Sequence, residues 1–114
     1  MNTLLLPANE ESVAQAARLM AQGEIVAIPT ETVYGIAGNA FDGAAVKKIF
    51  EAKGRPQDNP LIVHVDSLAR MEQVVQKITP RAEKLAKAFW PGPLSMILPR
   101  GPRLADEVCA GLDT

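Results

Sequence analysis

Apolar and polar positions follow two distinct rhythms along this chain. Residues 25–28, 61–65 and 94–98 are short apolar runs, each bounded by a proline, with no 3.6-residue period. Runs of that length predict strands buried in a sheet covered on both faces. Between them, apolar residues recur at helical spacing. Asn9 can cap a helix over residues 10–22, with Val13, Ala16, Ala17 and Met20 on one stripe and Gly23 as its stop. Asp42 can cap a second over residues 43–52, whose stripe is Val46, Ile49 and Phe50. Asp66 or Ser67 starts a third, carrying Leu68, Met71, Val74 and Val75. Thr79-Pro80 opens a fourth, through Leu85, Ala86 and Phe89, which Trp90-Pro91-Gly92-Pro93 breaks. The last motif reads as a rigid corner with a buried indole. Residues 3–6 read as a short strand, 29–41 as a long Thr- and Gly-rich loop, and 104–110 as a short helix. Strands alternating with helices predict an α/β fold, a sheet with helices on its faces.

Composition narrows the function classes. The 114 residues suit one domain with a modest core. No apolar run approaches the roughly 20 residues of a membrane span, and the first residues lack the charged start of a signal peptide, so a soluble cytoplasmic protein is expected. The lone Cys109 reads as a packing residue, and no metal site is expected. The net charge of −1 hides a segregation: Arg18 is the one base before residue 47, whereas most Lys and Arg fall between residues 47 and 103. That positive middle is either a set of solvated helix faces or a stripe facing RNA.

The densest chemistry lies at Lys53-Gly54-Arg55. Lys53 falls three residues after Phe50 and four after Ile49, so it extends the buried stripe to the helix end. A glycine between an ammonium and a guanidinium lets the backbone turn, so both cations can meet one anion. The alternative is surface decoration. No Gly-x-Gly-x-x-Gly fingerprint is present, and the segment from Gly38 to Gly43 lacks the Lys and Ser or Thr of a P-loop. A nucleotide would therefore be met mainly by side chains. With one His and one Cys, no catalytic triad can be drawn.

The segments Pro29-Thr30-Glu31-Thr32-Val33-Tyr34-Gly35, Lys53-Gly54-Arg55-Pro56-Gln57-Asp58-Asn59-Pro60, Leu61-Ile62-Val63-His64 and Phe89-Trp90-Pro91-Gly92-Pro93-Leu94 together resemble the YrdC family of threonylcarbamoyl-AMP synthases. The resemblance implies a strongly twisted mixed sheet. It implies a reaction in which the amine of L-threonine is carboxylated by bicarbonate and the carbamate attacks the α-phosphorus of ATP, with Mg²⁺ sharing the phosphate charge. Pyrophosphate leaves, and the product serves N6-threonylcarbamoylation of adenosine in tRNA. It further implies that Thr32 and His64 touch threonine, that Lys53 faces the phosphates, and that Arg55, Asn59 and Thr114 contact the nucleotide, with Lys53 and Arg55 the catalytic pair. Each has a structural counter-reading: Thr32 as a turn cap, His64 as a core histidine, Asn59 as a turn residue before Pro60, Thr114 as a fraying end, and Tyr34 as packing under its loop. A later Ser-x-Asn element of the family has no counterpart here. Residues 1–114 are therefore expected to be one domain truncated after Thr114, its sheet incomplete and its exposed edge prone to homodimerisation. The rival function is a YrdC-like tRNA-binding or double-stranded RNA-binding module without synthase activity; a third is a carbamoyl-transfer module of hydrogenase maturation.

Overall fold

The computed structural model describes residues 2–114. Its elements run, in chain order, α1 (Glu10–Ala21), β1 (Val26–Ile28), β2 (Gly35–Ala37), α2 (Gly43–Lys53), α3 (Leu68–Met71) and α4 (Pro80–Phe89). The helix starts are those that the polar punctuation predicts. Asn9 accepts a hydrogen bond from the Ser12 amide, Asp42 from Ala44 and Ala45, Ser67 from Arg70, and Thr79 from Ala82, each satisfying donors that a helix start leaves unpaired.

β1 and β2 form an antiparallel pair with Val26 opposite Ala37, Ala27 opposite Ile36 and Ile28 opposite Gly35. The result is a small α/β fold whose sheet, among the described residues, has two strands. β2 occupies part of the segment read as loop, because a three-residue strand carries too little periodicity to stand out. Residues 61–65 and 94–98 depart from the prediction in the opposite sense. Both are extended, but no ladder partner lies beside them among the described residues. Half-buried and exposed positions alternate strictly along each, leaving Ile62 70% and Ile97 86% exposed. Each is thus covered on one face only. Ala27 in β1 is exposed as well, so the apolar runs did not report burial on both faces.

Residues 3–6 are also unpaired. The stretch 104–110 is a succession of turns rather than a helix. Its amides bond back three residues, Val108 to Ala105, and Ala110 and Gly111 adopt left-handed conformations that a helix cannot contain. Past Met71 the amides of Gln73 and Val74 bond back only three residues, to Arg70 and Met71, and the chain then pairs with a distant segment: Gly101 donates to the Val74 carbonyl (2.8 Å) and Gln76 to that of Pro99 (2.9 Å). α1 turns a different face inward from the one predicted, with Ser12, Gln15, Ala16, Leu19 and Met20 half-buried and Val13 exposed. On α4, Ala82 and Ala86 are buried while Phe89 is exposed. The Trp90 indole is half-buried and donates to the Leu94 carbonyl at 3.0 Å.

One cluster carries the packing. Val46 and Phe50 of α2 lie against Leu104, Val108 and Cys109, with Leu61, Val63 and Val74 closing over them. Cys109 is buried there as a packing residue. The Leu61 amide donates to the Val108 carbonyl (2.9 Å) and Ala105 to Ala40 (3.0 Å), so the turn-rich segment is tied to both neighbours of α2. The surface totals 8441 Å², against roughly 6,100 Å² for a compact chain of this mass. The core is therefore thin, and loss of one large member is costly. Phe50→Ala is expected to lower stability by about 3–5 kcal/mol in urea unfolding, and a loss under about 1 kcal/mol would move the main packing energy elsewhere.

Candidate functional site

α2 ends in a two-bond reversal. The Gly54 amide donates to Glu51 (3.2 Å) and the Arg55 amide to Phe50 (3.0 Å), with Gly54 at φ 61°. This is a Schellman arrangement, and it needs a left-handed residue at its apex. A Cβ on Gly54 would meet nothing within 4 Å, so backbone conformation, not crowding, selects glycine. The reversal separates the two cations: Lys53 is the last helical residue and is exposed, whereas Arg55 is half-buried at the start of the next loop. The core-facing emergence expected of Lys53 is not what the helix delivers, because the stripe of Val46, Ile49 and Phe50 ends one turn earlier. Asn59 is exposed further along the same loop.

These cations differ from several others in the basic middle of the chain. Lys47 pairs with Glu107, Lys48 with Glu24, Lys87 with Glu83 and Arg100 with Asp106, while Arg103 stacks on Phe41 at 4.5 Å. Among the described residues neither Lys53 nor Arg55 enters an ion pair. Their charge is available to an anion.

The threonine-rich loop is organised by Thr30. Its hydroxyl oxygen accepts from the amides of Val33 (3.3 Å) and Thr32 (3.4 Å), and its proton is donated to the Val33 carbonyl. Thr32, read as a possible cap, is the residue being held. Thr30 was missed in the sequence, although a Thr with backbone amides two and three residues ahead is the signal of such a turn. Tyr34 is exposed rather than packed beneath the loop.

A cleft of about 610 Å³ opens beside this loop. Its floor is apolar, from Ile28, Ile36, Leu61 and Val63, and its polar groups include Thr30, Asn39, His64, Asp66 and Arg70. Apolar walls with a few convergent polar groups are what small-molecule sites present. His64 is exposed on the outward phase of residues 61–65 rather than buried as a core histidine. Its Nδ1 lies 3.2 Å from the Ile62 carbonyl, which assigns the proton to Nδ1 and leaves the Nε2 lone pair free. The cleft thus gathers His64, but Thr32, Lys53, Arg55, Asn59 and Thr114 are not in its lining. A second cavity, about 650 Å³, is lined by Gln76, Arg100, Asp106 and Asp113. Its cation is already committed, since the Arg100 guanidinium bonds the Leu104 carbonyl (2.6 Å) and Asp106 (2.9 Å). Thr114 is exposed at the chain end. Among the described residues no three His, Cys, Asp or Glu side chains converge as metal ligands.

Comparison with known proteins bears on the whole chain. The family model for Sua5, YciO and YrdC proteins, described as "Telomere recombination", matches residues 18–114. A threonylcarbamoyl-AMP synthase of Pyrococcus abyssi is 50% identical over 105 residues, covering 92% of this chain and 31% of the relative. One from Bacillus subtilis is 51% identical over 110 residues, covering 96% of this chain and 32% of the relative. The crystal structure of P. abyssi Sua5 complexed with L-threonine superposes with a TM-score of 0.87 at 48% identity, over 95% of this chain and 32% of that one. The chain spans about a third of the length of these relatives. With the family's sequence matched across residues 18–114 and its fold matched at this level of identity, the chain belongs to the Sua5/YciO/YrdC family.

Proposed function

We propose that this chain carries the threonine- and phosphate-binding portion of a threonylcarbamoyl-AMP synthase. The reaction joins L-threonine, bicarbonate and ATP into threonylcarbamoyl-AMP and pyrophosphate, and the product feeds threonylcarbamoylation of adenosine in tRNA. The observation that carries the reading is identity of 50% and 51%, across 92% and 96% of the chain, to proteins of that name. The cleft at His64 and the unpaired cations at the end of α2 agree with it.

In this reading L-threonine enters the cleft at His64 and reaches out to Thr32, which lies outside its lining on the loop that Thr30 braces. Lys53 and Arg55 face the phosphates of ATP from the two sides of the reversal at Gly54, and Asn59 and Thr114 contact the nucleotide. Joining a carbamate oxygen to the α-phosphorus asks little covalent chemistry of the protein. What it needs is alignment of two anionic reactants and neutralisation of their charge. Two cations with no carboxylate partner suit that role. Mg²⁺ has no protein cage here, since no cluster of carboxylates converges among the described residues. It fits only as an ion carried on phosphate oxygens and water, which its coordination habits allow. The extended segments 61–65 and 94–98 would serve as further strands of a twisted mixed sheet, as their alternating burial suggests.

The test is pyrophosphate release by the complete gene product, which should require L-threonine, bicarbonate and ATP together. Lys53→Ala and Arg55→Ala should each lower it on the order of 10²–10³-fold, with unchanged unfolding midpoints. Turnover that survives both substitutions would take the pair out of the site. Gly54→Ala separates conformation from charge. It should cost about 1–2 kcal/mol in stability and also slow turnover, whereas a fully active variant would mean that the reversal does not aim the cations.

A further inference from the structure

We infer that His64 is the general base that strips the threonine ammonium so that carboxylation can begin. This rests on the synthase reading and adds a chemical role to a residue so far given only contact. The amine of a free amino acid is protonated near neutrality, and an ammonium has no lone pair with which to attack carbon. The site therefore needs a group that takes that proton close to working pH, and imidazole is the side chain suited to the range between about pH 5 and 8.

The geometry prepares His64 for this. Donation from Nδ1 to the Ile62 carbonyl, at 3.2 Å, fixes the tautomer. Nε2 is then the acceptor, and His64 is among the residues that line the cleft. His64 is the one histidine of these 114 residues. The other ionisable side chains in the cleft are Asp66 and Arg70. Asp66 already accepts from the Ser67 hydroxyl at 3.1 Å, and Arg70 has no basic lone pair to offer.

Nε2 takes one proton from the ammonium, and the freed amine attacks the carbon of carbon dioxide, formed from bicarbonate with loss of water. The N–C bond forms as one C–O π pair moves onto oxygen, and the nitrogen sheds a second proton to reach the carbamate. One of the two protons is consumed in dehydrating bicarbonate. Ammonium plus bicarbonate therefore gives carbamate, water and one proton, which the imidazolium passes to solvent.

The experiment compares the wild-type gene product with His64→Gln, His64→Asn and Asp66→Asn, following pyrophosphate release against pH and L-threonine binding by calorimetry. His64→Gln should lose on the order of 10²-fold in kcat while still binding threonine. It should lose the fall in rate that the wild type shows on the acid side, and added imidazole should restore part of the rate. Full activity with an intact acid limb in His64→Gln would overturn the base and leave the synthase reading standing. So would loss of threonine binding without imidazole rescue, or disappearance of the acid limb in Asp66→Asn instead. A wild-type protein that releases no pyrophosphate on adding threonine would remove the synthase reading and the base with it.

Discussion

The rest of this structure depends on the burial of Val46 and Phe50 against Leu104, Val108 and Cys109. α2 is short, and helices of its length are marginal in water unless an apolar face is covered. Each of those two side chains contributes about 1.5–3 kcal/mol when fully buried. That packing holds α2 in place and so fixes where its C-terminal end emerges. It also draws residues 61–65 over the same cluster, since Leu61 and Val63 point inward. The opposite phase of that segment, Ile62 and His64, is thereby turned outward. One packing event thus orients both halves of the proposed chemistry, the cationic reversal at residues 53–55 and the imidazole at the cleft.

The division of labour is economical in physical terms. In the proposed reaction charge is met where the helix runs out: the partial negative end of α2 favours a cation at Lys53, and a glycine turn carries the chain on to Arg55. In the proposed reaction proton chemistry falls on residues 61–65, where a two-residue period turns His64 outward while Leu61 and Val63 pack on the core. The threonine-rich loop is neither helix nor strand, and one hydroxyl, that of Thr30, keeps its amides from being left unsatisfied.

What the sequence made legible was whatever local chemistry decides. Asn9, Asp42, Ser67 and Thr79 cap the helices as read, and Gly23 and Gly54 stop α1 and α2. The stripe of Val46, Ile49 and Phe50 is buried as its spacing implies. The failures share one cause, dependence on distant neighbours. An apolar run such as 94–98 states that it is extended, but whether it is paired or doubly covered is decided by residues far away in the chain. Residues 72–75 have helical spacing, yet the chain leaves the helix there to meet the segment at Arg100, where the Val74 carbonyl accepts from Gly101 and the Gln76 amide donates to Pro99. Among the candidate site residues, Lys53 and Arg55 stood out through the glycine between them and the motif around them, and His64 as the one imidazole on an otherwise apolar run. Thr30 was overlooked because its work is to hold a loop, and that becomes visible only when its hydroxyl is seen between two amides.

The central claim is that the end of α2 and the His64 cleft serve one reaction, the first meeting phosphate and the second meeting threonine. Backbone amide shifts of the isotopically labelled protein, recorded while ATP and then L-threonine are added, test it most directly. The account predicts that ATP moves the amides of Lys53, Gly54, Arg55 and Asn59, and that L-threonine then moves those of Thr32 and His64. If ATP left the residues around Gly54 unmoved while shifting others, or if threonine bypassed His64, the claim would be contradicted.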